Sequence, residues 1–325
     1  MSATDQQFEE TYPLHHLFER HAGKATDKWE QYLIAYESEL AVFQVRGVPI
    51  RLLEIGVQNG GSLELWSNYL PEGSTCVGLD IDERVAGLTF SAKGISVHVC
   101  DATDKAALER VIGTQTFDII IDDGSHHCTD VVKTFGLLFA RLAPLGKYFI
   151  EDLHCSYYPD FGGGLRSDGS SIAFLKTLID ALHFDHIRAD QLPEPAHRDF
   201  MKAHNQWIAR TTFYDSLCIV EKTGFAKEHP YRRALSGVDE QLVPTSSLLR
   251  LGQLGRAVLL GDPLSHQVDG ALLTEAESLR ANLTTLLASL ERTGREKTEI
   301  EGALLESEKK LVSLAAELAE LKSRV

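Results

Sequence analysis

The chain has 325 residues, 43% of them apolar, and a formal net charge of −15 at pH 7. That is enough for one full-sized core with appendages, and too acidic for the basic surfaces that hold nucleic acid or an anionic bilayer. Five cysteines (76, 100, 128, 155 and 218) are scattered without C-x-x-C spacing, no apolar run approaches eighteen residues, and the first residues, MSATDQQFEETY, are polar; the expectation is a cytoplasmic protein with reduced thiols, no signal peptide and no membrane span.

In chain order, residues 1–47 read as a helical cap over a sheet edge. Tyr32 and Tyr36 lie there at helical spacing, either as packing or as walls of an acceptor pocket. Residues 48–224 alternate short apolar runs with amphipathic stretches, the pattern of an α/β, Rossmann-like, doubly wound sheet. IRLLEIGVQNGGSLELWSNYL reads as strand, glycine-rich turn and helix. TCVGLDID and ISVHVCDATD are the second and third strands, ending in Asp80 and Asp101. FDIIIDDGSHH and KYFIEDLH are bare apolar strands followed by Asp122, Asp123 and His126, and by Glu151 and Asp152. VVKTFGLLFARLAPLG between them is expected to be the crossover helix.

An acid thus follows each of five successive strands: Glu54, Asp80, Asp101, Asp122/Asp123 and Glu151/Asp152. In a parallel sheet those positions line the ligand cleft. Asp80 suits ribose hydroxyls, and Asp101 lies beside the expected adenine position. An acidic lining repels phosphates, E-I-G-V-Q-N-G-G is not G-x-G-x-x-G, and no P-loop is present. A cationic cofactor such as S-adenosylmethionine fits, with Glu54 near its amino-acid end. Carboxylates converging on one point repel unless a cation sits among them. Mg²⁺ is the natural candidate and Mn²⁺ an alternative, with His126 one short turn away as a base. Helix capping is the bland alternative for Asp123, Ser125 or Asp130. His127 reads as structural, and His154 as a pocket wall or a partner behind the metal.

Residues 157–171, YYPDFGGGLRSDGSS, suit a lid beside the metal strand, with Tyr157 and Arg166 as acceptor contacts, or an ordinary connection. Residues 225–270 suggest short helices and turns without a chemical motif. From Leu272, positions spaced alternately by four and three are apolar in thirteen cases of sixteen up to Val325, predicting a coiled coil over 271–325 and a homo-oligomer. A coil that runs to the last residue is consistent with a segment of a longer polypeptide.

EIGVQNGGSLELW, GLDID, CDATD, FDIIIDDGSHH, YFIEDLH, SYYPDFGGG and FYDSLCIVEK together resemble the metal-dependent sugar O-methyltransferases, the mycinamicin-type macrolide sugar methyltransferases and their cephalosporin-hydroxylase-like relatives. The resemblance covers roughly residues 12 to 223. It implies a class I methyltransferase core whose last strand is antiparallel, and a sugar-bearing acceptor. It further implies Asp123, Glu151 and Asp152 as metal ligands, His126 as general base, and Glu54, Gly56, Asn59, Ser62, Asp80, Asp101, Ala102 and Asp122 around S-adenosylmethionine. Gln58 departs from the broad E/D-x-G-x-G-x-G pattern. Two other readings compete: an Fe(II) hydroxylase, which needs two histidines and a carboxylate, and a non-catalytic scaffold using the coil.

Overall fold

The computed structural model describes residues 13–227, together with the backbone of 233–235 and 257–259. The coiled coil expected over 271–325 lies outside the described residues. Within 225–270, where the sequence predicts helices and turns, Arg233–Leu235 and Ala257–Leu259 pair as a short parallel two-stranded sheet.

Two helices, α1 (Pro13–Glu19) and α2 (Glu30–Arg46), precede the sheet. Strands β1 (Arg51–Ile55), β2 (Thr75–Asp80), β3 (Ile95–Val99), β4 (Phe117–Asp122) and β5 (Leu142–Ile150) are parallel. They alternate with α3 (Gly61–Tyr69), α4 (Lys105–Ile112) and α5 (Cys128–Leu138). After α6 (Ser171–Leu182) and α7 (Pro195–Asn205), the hairpin β6 (Ile208–Tyr214) and β7 (Leu217–Lys222) completes a seven-stranded sheet in the order β3-β2-β1-β4-β5-β7-β6. β7 is antiparallel to both neighbours. This is the Rossmann-like, doubly wound sheet with an antiparallel last strand that the sequence leads one to expect. The strand order reverses between β1 and β4, and a crevice opens there at the carboxyl ends of the strands.

Strand residues alternate between two cores. Leu53, Ile120, Tyr148, Ile150 and Val220 face α4, α5 and α6. Leu52, Ile119, Ile121, Phe149 and Ile219 face α1, α2 and α3. The N-terminal helices therefore cover a face of the sheet, not an edge: Tyr36 of α2 stacks on Phe149 of β5 at 4.6 Å. The segment leading into α2 is pinned to α3, because Glu64 accepts both the Lys24 backbone N–H and its ammonium at 2.8 Å. The crossover helix ends at Leu138, earlier than the sequence suggests. Residues 142–150 form a long strand, irregular where Pro144, Leu145 (φ 63°) and Gly146 break its register with β4.

Helix α2 is clamped to the sheet by a buried ion pair. Lys147 Nζ donates to Glu39 Oε2 at 2.6 Å, and Arg210 and Tyr214 donate to the same carboxylate at 2.7 and 3.0 Å. Burial opposes the charged form of Glu39, yet Lys147, Tyr214 and Arg210 outweigh it and hold the carboxyl below its ordinary 4.5. Removing one partner of a buried pair strands the other charge. Glu39→Ala is therefore expected to lose about 3 kcal/mol at neutral pH in a denaturant titration. The lowered pKa means that the contribution is complete above about 4.5 and fades as pH falls through the folded value, so the gap between variant and wild type narrows in acid.

Candidate active site

The ends of β1 and β4 are held in register beyond the strands. Asp123 N–H donates to Ile55 O, and Glu151 N–H to Asp122 O, both at 3.0 Å. Asp123 and Glu151 are thereby brought side by side at the switch point. Three side chains then converge: ligand atoms of Asp123, His126 and Asp152 all lie within 4.8 Å of one another. His126 Nε2 is 3.5 Å from Asp152 Oδ2 and 4.0 Å from Asp123 Oδ1. All three are about a quarter exposed. His126 and Asp152 adopt left-handed backbone conformations, φ 57° and 54°, an arrangement that non-glycine residues hold only when their surroundings impose it.

The convergent set lines a cavity of about 660 Å³, within the size range of small-molecule sites. Gly56, Asp80, Asp101, Ala102 and Asp122 line the same cavity, as does Glu151. Two of these acids also organise turns, Asp80 the neighbouring β1–α3 turn and Asp101 its own. Asp80 Oδ2 accepts from the N–H groups of Val57 and Gln58 at 2.8 and 3.1 Å. Asp101 Oδ1 accepts from the Thr103 N–H and hydroxyl, both at 2.8 Å. Asp122 is buried, which pushes its carboxyl up to about 7 despite the Tyr148 hydroxyl 3.4 Å away.

The remaining residues expected from the sequence stand elsewhere. Glu54 is fully buried and lines no cavity here; it accepts from Ser62 Oγ at 2.7 Å and Trp66 Nε1 at 3.1 Å, tying β1 to α3. Ser62 borders a smaller cavity that shares Gly56 and Asp123 with the large one, and Asn59 borders neither. Tyr32 and Tyr36 are buried, but their hydroxyls reach the acids. Tyr36 donates to Glu151 Oε1 at 2.6 Å. The Tyr32 hydroxyl accepts from the Asp152 N–H at 3.0 Å and lies 2.8 Å from the Ser216 carbonyl. His154 and Tyr157 line a separate cavity of about 390 Å³, and exposed Arg166 lines neither of the two larger ones. Capping does not account for Asp123: the N-cap of α5 is His127, without a side-chain cap bond, and Ser125 Oγ donates to Asp130 at 2.7 Å. The 157–171 segment is folded down on its base, with Gly164 N–H bonded to Ser156 O at 2.9 Å and Ser170 capping α6.

Two residues invisible as site candidates in the sequence complete the arrangement. Trp29 Nε1 donates to Asp152 Oδ1 at 3.2 Å, and its ring begins a chain of aromatic contacts through His154, Tyr158 and Phe161 to His127. Lys28, only 2% exposed, donates to Glu151 Oε1 and Oε2 at 2.8 and 3.0 Å and to Asp123 Oδ2. Burial works against its ammonium, but Glu151 and Asp123 outweigh that and raise its pKa above the ordinary lysine value. No sequence pattern marks Lys28; only the need to balance so many buried acids points to a cation there.

Two carboxylates and one imidazole with room beside them fit a hard divalent cation that keeps open positions. They are not the two-histidine, one-carboxylate set of an Fe(II) hydroxylase: among the described residues the convergent group holds a single imidazole.

No protein-family model matches the chain. Individual proteins do. An 8-demethyl-8-α-L-rhamnosyl tetracenomycin-C 2′-O-methyltransferase of Streptomyces olivaceus is 36% identical over 210 residues, 61% of this chain and 52% of the relative. A mycinamicin VI 2″-O-methyltransferase of Micromonospora griseorubida is 35% identical over 187 residues, 54% and 45%. The crystal structure of MycE methyltransferase from the mycinamycin biosynthetic pathway, in complex with Mg and SAH, superposes with a TM-score of 0.55 at 29% identity, covering 65% of this chain and 54% of that one. The chain is thus similar in sequence to these two O-methyltransferases and in fold to MycE. It spans about half the length of the curated relatives it matches.

Gly56 is the backbone position on which this geometry turns. Its φ is 89°, and a Cβ there would lie 2.0 Å from the Asp123 carbonyl oxygen. Gly56→Ala is expected to cost about 2–3 kcal/mol and to push β4's end away from β1. A chemical denaturation curve checks the stability loss.

Proposed function

We propose that this chain is a metal-dependent O-methyltransferase that moves a methyl group from S-adenosylmethionine to a sugar hydroxyl. The observation that carries the reading is the Asp123–His126–Asp152 convergence at a cavity that Asp80 and Asp101 also line. The relatives' names, the MycE complexes with Mg and SAH, and a further MycE complex with mycinamycin VI support it.

On this reading Asp80 and Asp101 retain lone pairs for the ribose and adenine side of the cofactor. Gly56 and Ala102 allow close approach, and Asp122 lines the same cavity. Glu54, with Ser62, acts from behind by fixing the β1–α3 turn. Asp123 and Asp152 hold the metal, with Glu151 as a further oxygen donor. A divalent cation held by these carboxylates would supply Lewis-acid polarisation of an acceptor hydroxyl. S-adenosylmethionine supplies an electrophilic methyl carbon. His126 takes the acceptor hydroxyl's proton as the oxygen attacks that carbon and the sulfur–methyl bond breaks, its electron pair staying on sulfur as S-adenosylhomocysteine leaves. Trp29 and the rings leading from it, His154 first, offer flat faces to the acceptor, and Tyr157 lines the neighbouring cavity with His154. We further propose a cytoplasmic enzyme that self-associates through 271–325; deletion of that segment should lower the oligomeric mass by light scattering while residues 13–227 stay folded.

The acid and base roles separate experimentally. Calorimetric titration of S-adenosylmethionine is expected to show binding that survives chelation; no binding with or without Mg²⁺ rejects the reading. Asp152→Ala should abolish metal-dependent turnover and leave cofactor affinity nearly intact. His126→Ala should cut turnover by about 10²–10⁴ with metal affinity retained. Loss of metal affinity in that variant would instead make His126 a ligand.

A further inference from the structure

Lys28 is a buried cation that the proposed reaction leaves unused, and its position bears on the metal. Asp123 stands between two places for positive charge. Its Oδ2 is bonded to the Lys28 ammonium, and its Oδ1 faces His126 at 4.0 Å, within the group that converges with Asp152. Glu151 is wholly on the lysine's side: both its oxygens accept from Nζ, and Oε1 also accepts from Tyr36. The ammonium thus holds two of the three carboxylates that the sequence marks as metal ligands.

We propose that Lys28 is a tethered cation that competes with the divalent metal for Asp123 and Glu151. The inference rests on the metal-dependent reading above. Its physical basis is simple. A dication beside Asp123 repels an ammonium bonded to the same carboxylate, and both draw on the same negative charge. Without metal, Lys28 neutralises buried Glu151 and partly buried Asp123, which would otherwise be costly to hold together. With metal, the ammonium must loosen from Asp123, and Glu151 becomes available as an oxygen donor only as far as it lets go. The metal site is therefore weaker than its three acids alone would make it, and it does not depend on metal to fold. A purely bracing lysine, which orients Asp123 and Glu151 for the metal, predicts the opposite effect of its removal.

The test is Mn²⁺ binding to the full chain without S-adenosylmethionine, followed by calorimetry and by the loss of the free-ion electron paramagnetic resonance signal. Lys28→Met is expected to bind Mn²⁺ about tenfold more tightly than wild type, or more, and to gain more in thermal midpoint on Mn²⁺ addition. Equal or weaker binding overturns the proposal and makes Lys28 a brace. Should Lys28→Met fail to fold, Lys28→Met/Glu151→Gln removes both buried charges together and is compared with Glu151→Gln alone. Tighter Mn²⁺ binding in the double variant supports competition at Asp123, and equal or weaker binding overturns it. If wild type binds Mn²⁺ and the variants bind it no better, only the role of Lys28 fails. If no form binds Mn²⁺, the metal-dependent reading fails with it.

Discussion

Like charge gathered in a poorly solvated place is the constraint around which this structure is arranged. Glu54 and Glu151 are buried, Asp122 nearly so, and Asp123 and Asp152 are only partly open to water. Carboxylates in such surroundings need hydrogen bonds, protons or cations. Helix α2 and the residues before it supply most of them from a single stripe. Lys28 reaches Asp123 and Glu151, Trp29 and Tyr32 reach Asp152, Tyr36 reaches Glu151, and Glu39 takes up Lys147. The contacts step backwards along β5 as the helix advances, so α2 runs antiparallel to that strand. The N-terminal helix is thus part of the site's chemistry as well as a cover for the sheet.

Backbone strain is concentrated in the same region. Gln58, His126 and Asp152 all take positive φ, at 49°, 57° and 54°. Conformations of this kind cost about 1–3 kcal/mol each and persist where neighbouring bonds over-determine them. Asp80 holds the Gln58 N–H, and the Tyr32 hydroxyl accepts the Asp152 N–H. Gln58 shows how the departure from the glycine pattern is accommodated: the turn still needs a left-handed residue there, and a glutamine adopts that conformation with its amide clamped by an acid.

The sheet was legible because apolar runs of strand length and the acids that close them are local signals. FDIIIDD and KYFIED announce buried strands and their ends without any knowledge of neighbours. What was not legible depends on which way a side chain points in three dimensions. Glu54 follows the same pattern as Asp80 and Asp101, yet strand alternation puts it on the α2 and α3 side, with Ser62 and Trp66. Tyr32 and Tyr36 look like packing in the sequence, and their rings do pack, but their hydroxyls serve the acids. Lys28 sits in GKATDKWEQ, a stretch with no pattern of its own, and gains meaning only once the acids have been folded around it. The start of β5 was hidden because Pro144 and Gly146 look like the end of a helix, although they mark a break within a strand.

The acid series therefore conceals a division of labour that composition alone cannot express. Asp80 bonds backbone N–H groups of the neighbouring β1–α3 turn and Asp101 one of its own turn, so they shape the cavity wall before any ligand arrives. Glu54 and Glu151 belong to the interior, one bonded to α3 and one to the residues of the α2 stripe. Only Asp123 and Asp152 combine partial exposure with an imidazole close by. A carboxylate already satisfied by several donors is a poor competitor for a metal, because coordination must displace those bonds. One with a free oxygen facing the cavity loses nothing comparable. By that criterion the Oδ2 side of Asp152 and the Oδ1 side of Asp123 are the first places for a cation to settle, and the buried acids around them act by fixing where those two carboxylates stand.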